Sequence, residues 1–333
     1  MRNRAQHSAG FSLIELMVVV AIMGVVTAQL FVVFANQKRV FMSNERTLDA
    51  QESSRLTLDL VSFDTRMAGL MVPRWTAVSS VDGGTDHSDR LCVSSSSYMF
   101  TTPTVLDTKL QRFTGAVVGA TNATYVDVDT TNVDGDVPAT VDFRVGEGVI
   151  VASPTQTYCA PIKSVVGNRI TFDIPASESA TDYLGAASAD MRAVPANVYQ
   201  LDERPDHLEL RRNGLLLASQ IEDFQVEYWL DNSGLPNGVE DTDQEFPVND
   251  LETPDPPGGA IPANNAQVRR VRVSVIARTL RDEGTTGGSA SGHLSFARPA
   301  LANRVAGVAT DTFRRRSFSA SILPRNLVAV GDE

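Results

Sequence analysis

Scarcity narrows the field first in this 333-residue chain. It holds two cysteines, Cys92 and Cys159, and four scattered histidines, His7, His87, His207 and His293. It has no P-loop, no G-x-S-x-G elbow, no H-E-x-x-H and no C-x-x-C. The spaced residue sets that phosphate cradling, nucleophilic hydrolysis, zinc chemistry or dithiol exchange require are therefore missing, and no enzyme is expected. Positive charge is also short: 29 Lys and Arg stand against 40 Asp and Glu, a formal net charge of −11. Such a surface repels nucleic acid, so no direct nucleic-acid partner is expected. The clusters Arg269-Arg270-Val271-Arg272 and Arg314-Arg315-Arg316 read as solvated strand faces.

Formal charge vanishes entirely over the 22 residues from Leu16 to Gln37. A helix rising about 1.5 Å per residue covers a bilayer core of about 30 Å in that length, so a transmembrane helix is predicted at about 14–37. A basic leader, MRNRAQHSAG, precedes the run, and the only small-residue junction lies before the apolar stretch rather than after it. That order disfavours an ordinary secretory signal. Arg2 and Arg4 hold the N-terminus on the cytoplasmic side by the positive-inside rule. Glu15 sits at the mouth of the run with no Lys, Arg or His inside it. An ionised carboxylate near hydrocarbon costs a few kcal/mol at a helix centre, about 2.5–3.5, and less near an end. Cleavage between Gly10 and Phe11 would create an α-amino cation at the same depth, available to the Glu15 of a neighbouring chain.

The motif G-FSLIEL followed by an apolar helix resembles the class III signal of type IV pilins and type II secretion pseudopilins. The resemblance implies a leader peptide over 1–10, with Gly10 as the last residue recognised by prepilin peptidase and Phe11 as the N-methylated first residue of the mature chain. It also implies an assembly role for Glu15. Beyond the helix, VYQLDERPDHLELRRN, IEDFQVEYWLDNSG, VRRVRVSVIART and FRRRSFSASILPRN resemble the C-terminal half of PilW-type minor pilins. The implied function is a structural subunit of the type IV pilus, taking part in assembly initiation or standing at the tip. Its partners would be major and minor pilins, the prepilin peptidase and the inner-membrane assembly platform. The route would run from the inner membrane, single-pass with the N-terminus cytoplasmic, to the periplasm and the surface pilus. Two alternatives stay open: a J-type minor pseudopilin of type II secretion, and a single-pass membrane-anchored binding protein.

The apolar positions Phe41, Leu48, Leu56, Leu60, Phe63, Met67 and Leu70 fall on one stripe at helical spacing. They predict a helix over 11–72, stopped before Pro73, whose stripe packs on a head spanning 73–333. The head reads as strands. Val271, Val273, Val275 and Ala277 alternate with polar and apolar neighbours, and Phe318, Ala320 and Ile322 alternate with Ser317, Ser319 and Ser321. Further strands are expected at 90–93, 125–128, 147–152, 169–174, 207–211 and 224–230. The predicted class is α+β: a long N-terminal helix on an antiparallel β-rich head. Polar loops are expected at about 232–267 and 282–293. Asp231, Asp241 and Asp243 lie in or beside the first; a solvated acidic loop and a calcium site are both compatible with them. Cys92 and Cys159 reach an oxidising compartment in this topology, which permits a disulfide.

Overall fold

The computed structural model describes residues 12–69, 72, 76–83, 87–94, 115–116, 124–128, 143–153, 156–175, 178–180, 184, 191–204, 207–230, 268–279, 296–302, 304–308, 310–311 and 313–326. The chain divides into two compact units, Met1–Asp49 and Ala50–Glu333. The long helix α1 runs over Leu13–Met67. The described strands are β1 (Val78–Val81), β2 (Arg90–Ser94), β3 (Gly115–Ala116), β4 (Tyr125–Asp127), β5 (Gly148–Ser153), β6 (Gln156–Val166), β7 (Arg169–Phe172), β8 (Arg192–Arg204), β9 (His207–Arg212), β10 (Leu215–Ser219), β11 (Ile221–Leu230), β12 (Val268–Arg278), β13 (Phe296–Ala297), β14 (Thr310–Asp311) and β15 (Arg315–Ile322). Every pairing among them is antiparallel. The α+β class read from the sequence, an apolar helix with an antiparallel β-rich head, is the class observed.

The larger sheet runs β1-β2-β8-β5-β6-β7-β4. The thirteen-residue β8 is its spine: one edge carries β5 and then β9, the other β3 and then β2. Asn213 and Gly214, at φ of 53° and 75°, join β9 to β10 as the Asn-Gly pair of a type I′ turn, whose twist matches that of the strands it connects. The sheet rolls. Cys92 on β2 and Cys159 on β6 are three strand steps apart, about 14 Å in a flat sheet, yet their Cα atoms are 5.7 Å apart and a disulfide joins them. The interior of the roll is an apolar core including Val126, Val149, Val151, Tyr158, Ile162, Ile170 and Phe172.

A second core lies between the smaller sheet, ordered β11-β12-β15, the other face of β2 and β8, and the C-terminal turns of α1. Leu91 and Val93 face this core while Cys92 faces the roll. β2 is thus buried on both sides, which is why it reads as a nearly continuous apolar run rather than an alternation. Val271, Val273, Val275 and Ala277 of β12 and Phe318, Ala320 and Ile322 of β15 turn inward as their alternation predicts. Phe224 is fully buried here; truncating such a side chain to alanine costs about 3–5 kcal/mol.

Candidate functional site

Gly10 and Phe11 lie outside the described residues. Just beyond them, Ser12 and Glu15 form a reciprocal cap: the Ser12 amide donates to Glu15 Oε2 at 3.4 Å, and the Glu15 amide donates to Ser12 Oγ at 3.3 Å. The S-x-x-E spacing places the carboxylate beside otherwise unpaired amides of the first turn, where the helix dipole favours a negative charge. Glu15 and its surroundings are exposed. From Leu13 to Phe34 the large apolar side chains are also exposed, and an 18-residue window of α1 reaches a mean hydropathy of 2.6. The helix is long and apolar enough to cross a membrane. The one hydroxyl inside the run is reconciled with that setting, because Thr27 Oγ1 donates to the Met23 carbonyl at 2.7 Å.

The C-terminal turns of α1 correct one expectation. Two residues of the stripe anticipated to face the head do not: Leu56 and Phe63 are each 63% exposed. Leu60 and Met67 are half-buried, and Leu70 lies outside the described residues. The buried face is Ala50, Ser54, Thr57, Leu58, Val61, Ser62, Asp64, Thr65 and Ala68. At 100° per residue the two sets lie on nearly opposite sides of the helix. Small side chains let the sheets approach closely. Two of its hydroxyls cost little because the helix satisfies them itself: Ser54 Oγ donates to the Ala50 carbonyl at 2.7 Å, and Thr57 Oγ1 to the Ser53 carbonyl at 2.8 Å. Apolar periodicity therefore marked the outward face.

Asp64 anchors this inverted face. Its Oδ2 accepts from Asn197 Nδ2 at 3.0 Å, the Tyr199 hydroxyl at 2.6 Å, and Arg212 Nε and a terminal nitrogen at 3.0 and 2.8 Å. Burial, with the Asp64 carboxylate next in weight, pushes the Tyr199 hydroxyl far above its ordinary pKa, so it stays protonated and donates. Removing one of these partners from the buried Asp64 carboxylate costs about 1–3 kcal/mol. The helix end is held as firmly. Gly69 at φ of 80° takes the left-handed cap position, its amide donates to Ser94 Oγ at 2.9 Å, and Asn326 Nδ2 donates to the Met67 and Ala68 carbonyls at 3.2 and 3.1 Å. The terminal Arg325-Asn326 pair thus caps α1. Sequence reasoning noticed that pair without seeing its purpose, and it missed Asp64, whose only signal was an acidic residue among small ones.

Asp231, Asp241 and Asp243 lie outside the described residues. Among the described residues no group of three or more His, Cys, Asp or Glu side chains is placed to hold a metal. Two further acids have structural surroundings. Asp223, fully buried, accepts from Arg298 and Arg304, each at 2.9 Å. Asp89 accepts from the Val226 amide at 2.6 Å and the Gly83 amide at 3.1 Å, while its own amide donates to the Phe224 carbonyl at 2.8 Å.

Residues 6–28 match the family model described as the prokaryotic N-terminal methylation motif. Comparison with curated proteins returned no match. Among solved structures, a type IV-like pilin from Thermus thermophilus aligns over 56% of this chain and 87% of its own, at 17% identity and a TM-score of 0.22. The motif at residues 6–28 thus leads into a helix long and apolar enough to cross a membrane, followed by an antiparallel β-rich head.

Proposed function

We propose that the chain is a minor pilin of the type IV pilus, a structural subunit that helps initiate the filament or occupies its tip. The observation that carries this reading is a methylation motif at residues 6–28 running directly into a helix whose apolar side chains are exposed. Prepilin peptidase removes residues 1–10 between Gly10 and Phe11, and the new amine of Phe11 is methylated. Arg2 and Arg4 keep that end cytoplasmic, and the inner-membrane assembly platform then moves the subunit from the bilayer into the filament. A head of this size suits a subunit used at a special position better than one repeated along the whole shaft.

Glu15 takes the Phe11 amine of an adjacent major or minor pilin, a charge pair that strengthens where water is excluded. Ser12 caps the carboxylate until that partner arrives. The apolar side chains left outside the head's core, Leu56 and Phe63 among them, meet helices of neighbouring subunits.

The test is Glu15→Gln, which keeps shape and removes charge. The variant is expected to be cleaved normally and to insert in the membrane, but to lose co-purification with partner pilins at equal abundance. Unaltered co-purification and filament counts would remove Glu15 from assembly. A deletion strain addresses the filament type: loss of surface pili and twitching is expected, whereas retained pili with blocked exoprotein release would reassign the chain to type II secretion.

A further inference from the structure

β15 closes one side of the three-stranded sheet, paired with β12 over eight residues without a register shift. The Thr279 amide donates to the Arg314 carbonyl at 2.9 Å. By the alternation of an antiparallel ladder, Arg316, Phe318, Ala320 and Ile322 then direct their backbone groups towards β12, while Arg315, Ser317, Ser319 and Ser321 direct theirs away from the sheet. Among the described residues nothing bonds to that outward row.

Exposed edges of this kind invite pairing with another chain, and folds usually blunt them. Among the described strands, four other edges are blunted. Asp89 occupies the far edge of β11 through Phe224 and Val226, β10 is bulged between Leu216 and Ala218, β1 is buried throughout, and β4 is three residues long. β15 has no proline, no bulge and no charge from Ser317 to Ile322. Arg316, exposed at its start, has no ion-pair partner among the described residues.

We infer that the outer edge of β15 receives an extended strand from another protein, uncharged along most of its length and acidic where it meets Arg316. Main-chain hydrogen bonds supply the affinity and the charge fixes the register. A second copy of β15 fits poorly, because residues 313–326 contain no acid to set opposite Arg316. The inference stands on the sheet edge alone and does not depend on the filament reading.

The test uses the full chain in detergent micelles and a fluorescein-labelled decapeptide of alternating valine and threonine ending in two C-terminal aspartates, which lie opposite Arg316 when the peptide runs antiparallel. Binding is read by fluorescence anisotropy. Ser317→Ala keeps the outward amide and should bind as the wild type does. Ser317→Pro removes that amide without touching the ladder to β12, and should weaken binding about tenfold. A peptide N-methylated on its strand-facing amides should lose binding to the unaltered protein, which guards against misfolding of the proline variant. Exchanging the two aspartates for lysines should weaken binding about tenfold at low salt. Absence of binding by the first peptide, or equal binding of the N-methylated one, would overturn the inference.

Discussion

At the scale of single residues, carboxylates do three different jobs here. Glu15 is exposed at the first turn of α1, Asp64 is a buried acceptor for four donor atoms, and Asp89 stitches β11 to the turn at residue 83. Asp89 carries a pH signature. Burial pushes its carboxyl well above the ordinary value of 3.8, and Asp82 adds repulsion, while the Val226 and Gly83 amides pull it only partly back. In the window between the unfolded and the raised folded value, the folded chain holds a proton that the unfolded chain has released. Stability from this group is therefore fully present below about pH 3.8 and is lost as pH rises towards the folded value, by at most about 1.4 kcal/mol per pH unit. Urea unfolding across that range should show wild type losing stability relative to Asp89→Asn, which cannot ionise. Parallel profiles would show that Asp89 does not titrate there.

At the scale of the element, the C-terminal turns of α1 bury polar and small residues together with Leu58 and Val61, and expose Leu56 and Phe63. Leu56→Ser with Phe63→Ser should leave unfolding within about 0.5 kcal/mol of wild type, because neither side chain is in the core of this chain. The same pair should reduce co-purification with partner pilins. A fall of several kcal/mol in stability would mean that the stripe is internal after all. The strands show a complementary lesson. Alternation made β12 and β15 legible, while β1, β6 and β8 lacked it: β1 is wholly buried and carries two serines, and β8 changes partners along both edges. The Asn213-Gly214 dipeptide was a sufficient signal for the β9–β10 hairpin and went unused.

At the scale of the whole molecule, Ala50 to Ala68 complete one core and the Cys92–Cys159 bond crosses the other. A fragment beginning at Pro73 lacks the Ala50, Val61, Asp64 and Ala68 face and should fail to unfold cooperatively, whereas one beginning at Ala50 should fold. Equal, sharp transitions for both would show that the helix is dispensable to the head. In the Ala50 fragment, reduction should lower the melting temperature: the bond closes a span of 67 residues, for which the chain-entropy estimate is about 4 kcal/mol. An unchanged melting temperature with two free thiols would refute that contribution.

Local chemistry alone determined the charge-free run and the alternating strands, because charge, side-chain size and periodicity are read one segment at a time. Only the tertiary structure decided which face of α1 is inward, what Arg325 and Asn326 do, how Cys92 meets Cys159 and which sheet edge stays open. Each of these depends on a partner distant in sequence: a helix face is buried by the surface that fits it, and Ser54 and Thr57 fit because the helix had already satisfied their hydroxyls. Hydrophobicity ranks the cost of exposing a side chain. It does not say whether the surface that covers Leu56 and Phe63 belongs to the same chain.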